Sequence, residues 1–513
     1  MRISRFSVWF VVLLIALLSF GFLSDVYFKI NKSFEIFSSV FRLISDNYVI
    51  DIEPEILVKS GIKGMLNTLD PYSEYYDAKD SEDLEFLSNA TYTGLGISVS
   101  EIDSILTITN VRDGYPASKS GIQVGDKIYS VDSVVVINQS SEYLRNFTRG
   151  KAGTILKMRT IRVNKNDTIE LSITRENIKI DNISYSGFIG EGIGFIKLDR
   201  FTRTTASDLR KSISELRKSS NLKGLLIDLR DNPGGLLDAA VSVCEVFLPE
   251  KSLVVTTKTR NETVTGTFNT ISKPTEPEVP LAVLINEGSA SASEIVAGAI
   301  QDYDRGLIIG NKSFGKGLVQ SVFEVPFNGN IKLTTSKYYT PSGRCIQKLD
   351  FAELYHEKGV RNNQDTNIFR TKNGRTVYEL TGIIPDTIVL SDIDNPIVQD
   401  MLNRFVIFKF VNFSLGEQTA ETLLKLESEK IFKSFTKYLN QINYKPQTDI
   451  YRNLEMMKKQ MNDIKYSQKT FDIAKQFEVQ IDSETRNILE KNKTDIINLI
   501  RYEIYSRLPH QKE

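Results

Sequence analysis

The chain has 513 residues, and its 64 basic and 64 acidic side chains balance to a formal net charge of zero. That balance excludes the basic footprint of a nucleic-acid-binding protein, while the length allows several domains. Two cysteines, Cys244 and Cys345, are too few for a disulfide framework, so two separate reduced thiols in packed segments are expected.

The N-terminus carries Arg2 and Arg5, followed by Phe6 to Leu23 without a charge. Such a stretch is just long enough to span a bilayer, and its basic flank places the N-terminus in the cytoplasm and exports the rest. A cleaved signal peptide competes, because Ser19 and Gly21 are small; the apolar run is long for one and lacks a clear Ala-x-Ala. A signal anchor within residues 1–28 is preferred. The remaining chain is then expected outside the cytoplasm, in the periplasm of a Gram-negative cell, attached to the membrane or released into the same space.

Residues 29–85 read as an N-terminal helical region. Phe34, Ile36, Phe37, Val40, Phe41 and Ile44 form one apolar stripe, and Ile56 to Leu69 forms another. Asp70-Pro71-Tyr72-Ser73 ends the second helix. The region reads either as a packed subdomain or as a contact between two copies of the chain.

In residues 86–177, Thr93-Gly94-Leu95-Gly96-Ile97 opens a strand. Gly114-Tyr115-Pro116-Ala117 and Gly121-Ile122-Gln123-Val124-Gly125-Asp126 follow, and Ser141 to Phe147 reads as a helix. In this order the stretches resemble a PDZ domain. The resemblance implies that backbone N–H groups of Gly94, Leu95, Gly96 and Ile97 capture a terminal carboxylate while the peptide adds as a strand.

From 178 to about 392, strand and helix patterns alternate, as in an α/β sheet. Gly224-Leu225-Leu226-Ile227-Asp228-Leu229 is an apolar strand running into Arg230-Asp231-Asn232-Pro233-Gly234-Gly235. A turn of this kind presents N–H groups to an anionic oxygen, although ordinary strand–helix loops use the same residues. Leu281 to Ile285 is a second buried strand. After Gly288 the apolar residues Ile295, Val296, Ala299 and Ile300 recur at helical spacing. Ser291 therefore sits where a strand turns into a helix, where free N–H groups favour a developing oxyanion. A helix N-cap is the other use of a serine at such a place. Leu307-Ile308-Ile309-Gly310 is a third strand, and Lys316 lies between two glycines beyond it. A desolvated lysine is a usable base, and Gln320 is positioned to orient its amine; Lys312 reads as solvated. The only histidines, His356 and His510, are far from Ser291 in sequence, which makes a Ser-His-Asp triad hard to build and a Ser-Lys pair the natural variant.

Residues 393–513 change character. Leu423, Leu424, Leu426, Ile431, Phe432, Phe435 and Leu439 recur helically, as do Ile488, Leu489, Ile496, Ile497 and Ile500. The pattern predicts a helical extension with charged, solvated faces, free to bind a partner or to cover the core.

Five strings in order resemble the C-terminal-processing, or tail-specific, serine peptidase family. They are Asp228-Leu229-Arg230-Asp231-Asn232-Pro233-Gly234-Gly235, Gly288-Ser289-Ala290-Ser291-Ala292-Ser293-Glu294, Phe314-Gly315-Lys316-Gly317, Thr335 to Arg344, and Gly382-Ile383-Ile384-Pro385-Asp386. The resemblance implies a multidomain α/β protein: a Clp-protease/crotonase-like peptidase core with an inserted PDZ domain, between N- and C-terminal helical regions. It implies Ser291 as nucleophile, Lys316 as base and Gln320 as third member, with an oxyanion hole from Ala292 and from Gly234 or Gly235. The expected partners are proteins bound through their C-terminal tails, and no cofactor or metal is called for. A PDZ-based scaffold on an inactive peptidase fold is the alternative, and acyl-thioester chemistry on the crotonase fold a more distant one.

Overall fold

The computed structural model describes residues 27–77, 90–162, 167–349, 351, 367–389, 395–416 and 418–508. The apolar run Phe6–Leu23 and both histidines lie outside these residues. Among the described residues no helix is long and apolar enough to cross a membrane. They divide into two units, the smaller comprising 27–77, 318–336, 349 and 351.

In the smaller unit, residues 27–47 are helical. A second helix, Pro54–Leu66, starts on a proline whose missing N–H costs nothing there, and carries Glu55 in its first turn and Lys63 in its last. Asp70 ends the helical stretch: its Oδ1 accepts the N–H groups of Tyr72 and Ser73, both at 2.8 Å. The chain then enters strand Glu74–Tyr76, antiparallel to Asn330–Lys332. The helical reading of residues 30–85 is thus corrected at 74–76, where the Asp70 turn redirects the backbone. The stripe of the first helix is not packed: Phe34 is 70% exposed, and Ile36, Phe37 and Val40 are exposed beside it.

The larger unit holds three structural regions. Its central sheet runs in the order Ile183–Phe188, Ile193–Leu198, Gly224–Asp228, Leu281–Ile285, Leu307–Gly310, Thr387–Ile388. The first pair is antiparallel and the rest parallel. The middle strands are almost wholly apolar because both faces are covered. Helices Thr205–Ser219, Leu237–Cys244 and Ala292–Asp302 follow strands of this sheet, and every residue of the last is buried. Cys244 and Cys345 are buried free thiols.

Residues 97–174 form an antiparallel sheet in the order Ile97–Ile102, Ile105–Val111, Lys127–Val131, Ile155–Arg162, Asp167–Thr174. Leu106, Ile108, Ile128, Leu156, Met158 and Ile173 fill its core. Helix Ser141–Thr148 is capped by Ser140, whose Oγ accepts the Tyr143 N–H at 3.1 Å, and buries Leu144. Strand Thr91–Gly94 pairs with Glu176–Lys179 at the root of this domain, so the structural boundary falls a few residues beyond 177.

The tail contains seven helices from Pro396 to Tyr505. Val398, Met401, Val411, Phe435, Ile496 and Ile500 are its fully buried centre. It is a folded domain with its own core, not a string of solvated faces. Its apolar residues from distant helices meet there, a convergence that helical periodicity alone does not reveal. This domain touches the PDZ-like region: Lys409 Nζ donates to Asp103 Oδ1 at 2.7 Å, and Asn412 lies against Gly125.

Candidate active site

Strand Leu281–Ile285 ends in a turn, and helix Ala292–Asp302 begins directly after Ser291. Ser291 has φ 56° and ψ −113°, a combination that side-chain-bearing residues adopt only when the surroundings impose it. Its two serine neighbours do part of the imposing. Ser289 Oγ donates to Leu229 O at 2.7 Å and accepts the Asn286 N–H at 2.9 Å. Ser293 Oγ donates to Asn232 O at 2.9 Å. Both are fully buried, whereas Ser291 is half-buried. Thus two hydroxyls of the Ser-Ala-Ser-Ala-Ser string stitch the elbow to the neighbouring strand end, and the middle one stands nearer solvent at the positive end of a helix.

The Pro-Gly-Gly turn lies against this elbow. A Cβ on Gly234, where φ is +102°, would fall 2.8 Å from Ala292 N and 2.9 Å from Ser291 Cβ. One on Gly235 would lie 2.1 Å from Phe201 O. Only glycine allows either approach. The Gly234 N–H is already taken, donating to Asn232 Oδ1 at 2.9 Å. Among the described residues, the N–H groups of Gly235 and Ala292 have no acceptor. Of the two glycines named from the sequence, Gly235 is therefore the one with an amide available to a ligand.

Lys316 reaches the same neighbourhood from the loop after strand Leu307–Gly310. Phe314 N–H donates to Ser289 O at 3.0 Å. Cβ atoms on Gly315 and Gly317 would collide with the segment Gln347–Lys348, at 2.6 Å from Lys348 Cβ and 2.7 Å from Gln347 N. The two glycines thus let the loop pack tightly while Lys316 stays partly exposed. Lys312 is exposed, as read.

Glu294 ties elbow and loop together. Its Oε2 accepts the N–H of Ser291 at 2.8 Å and that of Lys316 at 2.9 Å. Its Oε1 accepts the Gly315 N–H at 2.7 Å and the Ser313 hydroxyl at 2.5 Å. Burial pushes its carboxyl up to about 7, against the downward pull of these four hydrogen bonds. Sequence reasoning quoted Glu294 but gave it no role. The available signal was a carboxylate in the first turn of a helix otherwise made of small and apolar residues. Gln320 lies in strand Leu318–Val325 of the smaller unit, where its Nε2 donates to Thr334 Oγ1 at 3.1 Å. No group of His, Cys, Asp and Glu among the described residues could hold a metal ion.

A second site lies in residues 92–149, a groove of about 370 Å³ lined by Gly94, Leu95, Gly96 and Ile97 on one side and by Leu144 and Arg145 on the other. Leu95 O accepts the Ala117 N–H, and Gly96 O accepts the Arg112 N–H, both at 2.9 Å. In a trans peptide the following N–H points the opposite way, so the amides of Gly96 and Ile97 face away from these bonds. Strand Ile97–Ile102 is an edge of its sheet, which leaves it open to an added strand. Arg145 and Arg149 are the charged residues of the lining.

Comparison with known proteins agrees with this geometry. Residues 192–353 match peptidase family S41, residues 93–173 a PDZ domain, residues 24–80 the activating protease CtpB N-terminal domain, and residues 397–513 the probable PDZ-protease C-terminal helical domain. The chain is 38% identical over 314 residues to a carboxy-terminal-processing protease of Bartonella bacilliformis, covering 61% of this chain and 72% of that protein. It is 32% identical over 336 residues to the carboxy-terminal processing protease CtpA of Bacillus subtilis, covering 65% and 67%. The strand–elbow–helix carrying Ser291, the glycine-flanked Lys316 and the peptide groove thus belong to a serine-type peptidase with a PDZ domain, and the chain is a member of peptidase family S41, among the carboxy-terminal-processing proteases.

Proposed function

We propose that this protein is an endopeptidase that cuts proteins near their C-terminal tails by a Ser-Lys mechanism, with the PDZ groove selecting the tail. Ser291 Oγ attacks the scissile carbonyl and its proton passes to Lys316 Nζ. The N–H groups of Ala292 and of the Gly234-Gly235 turn meet the tetrahedral oxyanion. Lys316 then protonates the leaving amine, and a water, deprotonated by the same amine, hydrolyses the acyl-enzyme. Gln320 orients Lys316. The observation that carries this reading is the backbone of Ser291, at φ 56° and ψ −113°, held between two serines whose hydroxyls are consumed by the fold. A fluorophosphonate probe is expected to label the full chain at one serine, and Ser291→Ala is expected to abolish both labelling and casein cleavage. A protein that binds peptide tails but takes up no probe would instead be a scaffold on an inactive peptidase fold.

We further propose that Phe6–Leu23 anchors the chain in a membrane, with the catalytic domains outside the cytoplasm, and that helix 27–47 meets a second copy. The exposure of Phe34, Ile36, Phe37 and Val40 supports the latter, since a monomer rarely leaves such a stripe bare. Sedimentation of a protein beginning at residue 27 tests it: a dimer that Phe34→Glu converts to a monomer is expected.

A further inference from the structure

We propose that Glu294 is a positioning residue for the reaction: its buried carboxylate holds the nucleophile and base segments at a set separation, and the site works only while that carboxylate is ionised. The inference rests on the reading of Ser291 and Lys316 as the reacting pair. One oxygen, Glu294 Oε2, accepts from the backbone N–H of both residues, at 2.8 and 2.9 Å. The other, Oε1, accepts from Gly315 N–H and Ser313 Oγ, and Ser313 Oγ in turn accepts the Ile383 N–H at 2.6 Å. Glu294 touches no substrate in this arrangement. It acts through the two segments it joins.

Four donors point at two oxygens, which matches the capacity of a carboxylate and of no neutral side chain. Protonation removes the charge and puts a hydrogen where one of the four donors now points. A glutamine suffers the same conflict, because its NH₂ faces either the pair Ser291 and Lys316 or the Gly315 N–H. Other titratable groups face this carboxylate from the packed elements. Tyr338 is buried, donates to Ser291 O at 3.1 Å, and has its phenol held well above its ordinary value by burial and by Glu294; Lys316 lies on the loop itself. With Glu294 pushed up to about 7 by burial, its ionisation falls in an accessible range. Stability and activity then run in opposite directions. A carboxyl raised above its ordinary value contributes most to folding in the neutral form, and that contribution is lost as pH rises through about 7, whereas cleavage needs the ionised form.

The test measures casein cleavage and fluorophosphonate labelling of the full chain from pH 5 to 9. Below both ionisations, of Glu294 and of the Lys316 amine, the logarithm of the wild-type rate should climb with a slope approaching about two per pH unit. Glu294→Gln should lower kcat on the order of a hundredfold with little change in KM, and reduce that slope to about one. Its Tm at pH 8 should stay near the wild-type value, since the variant no longer buries a charge. Ser313→Ala should shift the acid limb to higher pH by removing a donor to the carboxylate, and this carries the test if Glu294→Gln does not fold. A Glu294→Gln enzyme with wild-type kcat and slope, or an unmoved limb in Ser313→Ala, would overturn the proposal. Absence of Ser291-dependent labelling in the wild type would instead overturn the nucleophile assignment, and this proposal with it.

Discussion

Asn232 Oδ1 accepts the N–H of Gly234 at 2.9 Å, while Asn232 Nδ2 donates to Leu198 O at 2.6 Å. The fully buried amide therefore pins the glycine turn to a strand of the central sheet and turns one of its two candidate donors inward. The position of the other, Gly235, depends on that pin. Asn232→Ala is expected to lower kcat by ten- to a hundredfold at nearly constant KM, the signature of a lost transition-state contact. Steady-state kinetics on a labelled casein, beside a far-UV spectrum of the folded variant, checks it. A KM effect alone would count against the turn as an oxyanion site.

The three serines should separate cleanly. Ser291→Ala removes a half-buried hydroxyl and should leave the thermal midpoint almost unchanged while abolishing cleavage. Ser289→Ala deprives the Asn286 N–H and Leu229 O of their partner and should cost about 1–3 kcal/mol of stability, with activity retained below the lowered midpoint. Ser293→Ala, which loses one bond to Asn232 O, should behave alike with a smaller shift. An inactive Ser289→Ala beside an active Ser291→Ala would move the nucleophile by two positions.

Lys316→Ala should be inactive, and Lys316→Arg equally so, because guanidinium does not give up its proton in the working range of an enzyme. Methylamine added to Lys316→Ala, filling the space of the lost amine, should restore part of the rate with a pH dependence following its free-base fraction. A fully active Lys316→Arg would remove lysine from the role of base.

The groove predicts a requirement for a free tail. Its open amides at Gly96 and Ile97, with Arg145 and Arg149 nearby and no acidic residue in the lining, favour a terminal carboxylate. A peptide-tagged substrate with an apolar free C-terminus should be cut faster than its amidated twin by the full-length enzyme, and the difference should shrink with rising salt as the arginine contribution is screened. Equal rates for the two tails would leave a peptidase without tail selection.

The sequence by itself determined the family strings, the parallel core strands and the PDZ-like order, because each is a local pattern. An apolar run bounded by glycine, or a Gly-Leu-Gly-Ile opening a strand, has one economical conformation wherever it occurs. It also brought out Ser291 and Lys316, since a serine at a strand-to-helix turn and a lysine between glycines are both visible within a few residues. What tertiary structure decided was everything set by convergence of distant segments. The three serines look equivalent in sequence; only the approach of Leu229 O and Asn232 O consumes two of their hydroxyls. Gly234 and Gly235 are likewise adjacent and identical, yet the Asn232 side chain occupies one amide and leaves the other. The tail's periodicity predicted helices but not that Phe435, Ile496 and Met401 would share one core. Glu294 was legible as a letter and not as a role, because its four donors come from Ser291, Ser313, Gly315 and Lys316, and a buried charge acquires meaning only from the groups that fold around it.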